Sequence, residues 1–281
     1  MTAAGPFVVH RFACLDTAPF NPGDYSRLKF GSDRVARDFG YEMAERFFLS
    51  HRDRLMNERC VVIPSAYNVV EIAATILARH FMDRLNDLVT RAGGDIVEWT
   101  TMHRTVSYLN DYADVSAEER LKLLGQDRLY IKADFIAGKT LIFVDDIQIT
   151  GTHELKIEQF LAEYGYDNPT IFAYYAKYTG DRAKIEGDLN RSGIRTLSDF
   201  LTMHLEEPAH IMVRTLRLWL QSTPQEREAG FDLVSPAYIA ALYHAVLARG
   251  YYKVPELAEG FEALRSRYDR LYNEQPAQAV A

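Results

Sequence analysis

Two acids and a hydroxyl-bearing turn stand close together in this chain: Asp145 and Asp146 follow an apolar run, and Thr150-Gly151-Thr152 comes after a short spacer ending in Ile149. Neighbouring carboxylates repel unless hydroxyl donors or a cation engage them. The turn offers two hydroxyls, a glycine without a side chain and, where a helix begins, backbone N–H groups with no partner inside the helix. That is the equipment for gripping a phosphate monoester. A helix dipole supplies only about 0.3–1 kcal/mol at an exposed site, so convergent N–H and O–H donors must do most of the holding. The plain alternative is that acids and threonines merely cap a helix after a strand. The strand-turn-helix setting is what favours a ligand site.

The elements that position these residues follow from hydrophobic patterning. Residues 60–64, 141–144 and 170–175 are short apolar runs, the profile of strands covered on both faces, and 95–101 is a further candidate. Helical patterns occupy 32–51, with Ser32 or Asp33 as N-cap and Val35, Phe39, Met43 and Phe47 on the buried face, then 69–92 and 153–164. Residues 102–125 are too polar for a conventional strand, and their later part, from Ser116, suits a helix. The alternation predicts an α/β fold, an open parallel sheet with helices on both faces and ligands at the strand C-termini. Past residue 180 only amphipathic helices are evident, at 198–221, 236–249 and 256–272. The predicted organisation is therefore an N-terminal irregular segment at 1–31, with one candidate strand at 7–12 and a position suited to a hood. A core at 32–180 and a helical extension at 181–281 with a frayed end complete it.

The run LIFVDDIQITGTHE, residues 141–154, resembles the signature of the type I phosphoribosyltransferases: an apolar strand, two adjacent acids, a spacer, then Thr-Gly-Thr or a near variant. The resemblance implies binding of phosphoribosyl pyrophosphate with Mg2+ and transfer of ribose 5-phosphate to a nitrogenous base, a purine ahead of a pyrimidine, with release of pyrophosphate. It places Asp145 and Asp146 on the ribose hydroxyls and beside the metal, and gives the 5′-phosphate to Ile149, Thr150, Gly151 and Thr152. The loop after the first core strand would take pyrophosphate through Ser65 and Ala66, with Ser65 as a helix N-cap the competing reading. The polar stretch resembles the family's mobile catalytic loop, in which Ser107 and Tyr108 match a Ser-Tyr pair of hypoxanthine-guanine phosphoribosyltransferases. Arg104 there would neutralise charge on departing pyrophosphate, against the alternative of a solvated loop.

Lys177, just past the last predicted strand, is either a donor to a base carbonyl or a surface lysine. Tyr174, Tyr175 and Tyr178 either stack on a base or pack the core. Lys29, Arg34 and Arg37 read as a solvated helix face and receive no role. Family habit implies a homodimer. Two further readings stand beside the enzyme: a nucleotide-sensing regulator of the same fold without turnover, and an accessory protein that recruits a partner through the helical extension.

Composition bounds these readings. The chain has 281 residues, 48% hydrophobic and 25% charged, which supports a sizeable core. A net charge of −7 gives no positive field for nucleic acid. Cys14 and Cys60 lack metal-type spacing and suit a reducing compartment. The N-terminus lacks a leader-type apolar region, and no run of about 18 apolar residues occurs. The expectation is a cytoplasmic protein with neither nucleic-acid nor membrane partners.

Overall fold

The computed structural model describes residues 5–104, 129–182 and 184–272. Its centre is a five-stranded, wholly parallel sheet in the order β1-β7-β6-β2-β3. The strands are β1 (Phe7–Phe12), β2 (Cys60–Pro64), β3 (Glu98–Trp99), β6 (Thr140–Gln148) and β7 (Thr170–Tyr178). Val61, Val62, Ile63, Leu141 and Ile142 are fully buried, as unbroken apolar strands must be when helices cover both sheet faces. β2 lies beside β6 with Cys60 opposite Thr140 and Pro64 opposite Val144. A separate antiparallel ribbon pairs β4 (His103–Arg104) with β5 (Leu129–Tyr130).

Alternation along the strands sorts the side chains into two cores. Val62, Ile142, Val144 and Tyr175 pack under α1 (Pro22–Lys29), α2 (Asp33–Asn57) and α3 (Ala73–Arg91). Val61, Leu141, Phe143 and Tyr174 pack under α4 (Ala133–Ile136) and α5 (Thr152–Glu163). Start signals explain the first helices. Asn21 Oδ1 accepts from the Gly23 amide at 2.8 Å ahead of α1, with Pro22 in its first turn, and Ser32 Oγ accepts from the Val35 amide at 3.2 Å ahead of α2.

Several boundaries differ from the sequence expectation. Residues 7–12 form the expected strand, at the sheet edge, whereas 22–29 form a helix where irregular structure is expected. β6 runs on to Gln148 and β7 to Tyr178, which puts Asp145, Asp146 and Lys177 inside strands rather than beyond them. The helix after β2 begins at Ala73, later than predicted. His103 and Arg104, at the head of the polar stretch, do pair as strand.

The C-terminal region is helical, with α6 (Ile185–Asn190), α7 (Leu197–Glu206), α8 (Val213–Gln221), α9 (Pro224–Leu233), α10 (Pro236–Arg249) and α11 (Ala258–Tyr272). The single helix expected over 198–221 is two, because Pro208 lies just past the α7 C-cap and cannot continue a helix. Phe200, Trp219, Phe231 and Leu242 form its core together with Phe30 and Val70 from the sheet-bearing part. Ile185, Leu189 and Met212 reciprocate by packing into the sheet's core. At the junction the His210 amide donates to Gly31 O at 2.9 Å. Gly31 has φ +94°, and a Cβ there would sit 2.2 Å from His210 O, so both conformation and space require glycine. Among the described residues no helix is long and apolar enough to cross a membrane.

Candidate functional site

The signature residues sit where β6 ends and α5 begins. Gly151 is the N-cap of α5 in the left-handed region, φ +75°, and no side chain caps the helix from that position. Thr150 and Thr152 are exposed and their hydroxyls lie 2.8 Å apart, while the Thr152 amide makes only a long 3.4 Å contact to Thr150 Oγ1. The first turn of α5 thus presents two hydroxyls and backbone donors to solvent, the arrangement that closes on an anion. Ile149 packs its side chain against the core, so it has only its backbone to offer.

The two acids do not share a face. Successive residues of a strand point to opposite sides, and Asp145 and Asp146 accordingly meet different partners. Asp145 Oδ2 lies 3.2 Å from His153 Nδ1 in the first turn of α5, and Asp145 Oδ1 accepts from the Asp146 amide at 2.9 Å. Burial pushes its carboxyl up, but the hydrogen bond and charge of His153 outweigh this and hold it well below the usual carboxylate range. Asp146 turns the other way, into the core beneath α1. Its Oδ2 is ion-paired with Lys29 Nζ and accepts from Tyr25 OH at 3.0 Å, and its Oδ1 accepts from the Ile147 amide at 3.1 Å. Burial raises this carboxyl, with Asp145 adding to the rise and Lys29 opposing it. The Asp145 side chain is 18% exposed and that of Asp146 only 5%. The expected pair of accessible acids is therefore one accessible acid and one structural one.

Ser65 joins Asp145 from the neighbouring strand. Its amide donates to Val144 O at 3.1 Å, extending the β2–β6 ladder, and its hydroxyl is 3.4 Å from His153 Nδ1. Since α3 starts at Ala73 behind Ile72, Ser65 is not that helix's N-cap. Ala66 is buried beside it. Ser65, Asp145, His153 and Tyr174 line one small crevice at the C-terminal ends of β2 and β6. Arg104 stands in the ribbon next to His103, which is bridged to Tyr67 of the β2 loop, so the ribbon rises beside that loop. Ser107 and Tyr108 lie outside the described residues.

Lys177 is within β7, opposite Gln148 on one side and Arg11 on the other. The tyrosines are packing residues. Tyr175 stacks on Phe39 with centroids 4.0 Å apart, Tyr178 is buried against Phe12, and Tyr174 OH donates to Glu154 at 3.3 Å. Tyr25 and His153 are the residues that sequence reasoning missed, and Lys29, read there as part of a solvated helix face, is instead enclosed on Asp146. Asn21-Pro22, an N-cap followed by a first-turn proline, signals the helix that carries Lys29, but nothing signals its partner in β6.

The donor set does not fit a protein-held magnesium ion. Three of the four acceptor positions of Asp146 are taken by Lys29, Tyr25 and a backbone amide. Among the described residues, no group of three or more His, Cys, Asp or Glu side chains is placed to hold a metal.

The family model for ComF-like phosphoribosyltransferases matches residues 5–264, which takes in the sheet, the turn and nearly all of the helical region. The chain belongs to that family. The helices after residue 180, up to the first half of α11, fall within the ComF-like match. No curated protein matches the chain. A hypoxanthine phosphoribosyltransferase from Staphylococcus aureus is similar in structure, with TM-score 0.34 and 12% identity over 52% of this chain and 76% of that one.

Proposed function

We propose that this ComF-like chain binds phosphoribosyl pyrophosphate at the β6–α5 turn and transfers its ribose 5-phosphate to a nitrogenous base, a purine ahead of a pyrimidine. The observation that supports this most strongly is the uncapped, exposed start of α5, tied to Asp145 through His153. The 5′-phosphate is received by Thr150, Gly151 and Thr152 through hydroxyl and backbone donors. A ribose hydroxyl donates to Asp145, which still has acceptor positions free beyond those used by His153 and the Asp146 amide. Departing pyrophosphate lies toward Ser65 and the ribbon that carries Arg104, whose guanidinium offsets the growing negative charge. The C1–O bond breaks with its electron pair leaving on pyrophosphate, and a base nitrogen forms the new bond to a C1 of oxocarbenium character while its N–H proton passes to solvent. Lys177 supplies a donor for a base carbonyl. Positioning provides most of the acceleration, since no covalent intermediate on the protein is needed.

Pyrophosphate release, followed with a panel of purine and pyrimidine bases, tests the proposal. We expect turnover with at least one base and a loss of about a hundredfold in Asp145→Asn. A second reading, the nucleotide-sensing regulator, is favoured by the engagement of Asp146 with Lys29, which leaves the site one accessible acid. Binding without release across the whole panel would select that reading.

A further inference from the structure

Lys29 sits on the last turn of α1, and its ammonium meets a carboxylate that lies 117 positions further along the chain, at the end of β6. The pair is enclosed: the Lys29 side chain is 14% exposed and that of Asp146 5%. Tyr25, one helical turn earlier, adds its hydroxyl to the same oxygen, and its ring lies under the ammonium at 5.5 Å. Two donors on one carboxylate oxygen, with a backbone amide on the other, occupy three of the four acceptor positions of the anion and neutralise its charge. They are not what a site awaiting a ligand would hold. A divalent cation at Asp146 would have to displace an ammonium that already neutralises the charge, and Mg2+ tolerates little departure from octahedral oxygen geometry.

We propose that Lys29 is the built-in counter-ion of Asp146, supplying at that carboxylate the positive charge that a metal-using site would take from a divalent cation. The site then reads its phosphorylated sugar through Asp145 and the turn, with no metal ion held by the protein. This rests on the proposed sugar-phosphate site for its ligand, though not for its claim about the cation. Lys29 and Tyr25 are positioning residues: they fix α1 against the sheet and fix the charge of Asp146, and neither touches substrate.

The test is Mn2+ titration followed by electron paramagnetic resonance in wild type, with thermal melting of wild type, Lys29→Met and Lys29→Met/Asp146→Asn, each without other ligands. Wild type is expected to show no stoichiometric Mn2+ site. Lys29→Met strands a buried carboxylate and is expected to lower the melting temperature, a loss that the double variant relieves by removing the stranded charge. A role for Lys29 in packing alone would lower the melting temperature equally in both variants. Stoichiometric Mn2+ in wild type that disappears in Asp146→Asn overturns the proposal and needs only the native protein as its starting point. An equal loss in the single and the double variant also overturns it. Calorimetry with ribose 5-phosphate forms the second arm. Wild-type affinity should change less than twofold between EDTA and Mg2+, and a tenfold loss in EDTA contradicts the proposal. If ribose 5-phosphate fails to bind at all, the proposed function falls and the Mn2+ and melting outcomes still decide the role of Lys29.

Discussion

At the scale of single residues, adjacency in the chain and adjacency in space part company at Asp145 and Asp146. The two acids are legible in the sequence as a motif, and so is the turn after them. Strand alternation then sends one carboxylate to His153 and the other to Lys29. The sequence could not show this, because the extent of β6 decides it: a strand ending at Val144 would leave both acids in a loop, whereas the pairing of Asp145 with Tyr174 and of Gln148 with Lys177 carries it past them. Charged residues in a strand read as its end, and here β7 supports the strand for longer. The same scale governs the thiols. Cys60 opens β2 and is buried, and that burial, reinforced by Glu58, pushes its thiol up to about 11, whereas Cys14 is exposed. Iodoacetamide at pH 7.5 is expected to label Cys14 alone in the folded protein, with Cys60 labelled only after denaturation. Mass mapping of the modified peptides checks this, and rapid labelling of native Cys60 would contradict the packing described for β2.

At the scale of elements, most strands and long helices announce themselves. The runs at 60–64 and 141–144 and the helical stretch after Ser32 need only periodicity and a cap. What periodicity cannot supply is the contact between elements distant in sequence. Asp33, in the first turn of α2, shares one carboxylate oxygen between His80 of α3 at 3.0 Å and His210 of the segment before α8 at 2.9 Å. Partial burial pushes the Asp33 carboxyl up, yet hydrogen bonds from His210 and then His80 bring it below its ordinary value. A lowered carboxyl stabilises the fold above the ordinary carboxylate range, and the contribution is lost as pH falls through the lowered value. Asp33→Asn is therefore expected to cost about 1 kcal/mol or less at neutral pH, discounted because the group is half-exposed. It should also flatten the acid limb of the stability curve. Urea unfolding from pH 7 down to pH 2 reads both effects. A variant that loses stability in acid as steeply as wild type would remove Asp33 from this role.

At the scale of the whole molecule, the division expected at residue 180 is not how the cores are built. Phe30 and Val70 belong to the helical region's core, and Ile185, Leu189 and Met212 belong to the sheet's. The amphipathic patterns after residue 180 identify helices but not what their apolar faces meet, so a mutually packed region reads as an appendage. Interlocked cores of this kind should unfold together, and a ligand that binds only the folded state should raise that one transition. The α5 turn and Asp145 lie at the centre of the sheet, so a sugar phosphate held there stabilises the entire unit. The deciding measurement is differential scanning calorimetry with and without phosphoribosyl pyrophosphate, on wild type and on Asp145→Asn. We expect a single transition in both proteins, raised by several degrees by saturating ligand in wild type and unmoved in Asp145→Asn. A wild-type transition that phosphoribosyl pyrophosphate leaves in place, or an equal rise in Asp145→Asn, would contradict a sugar-phosphate site at this turn.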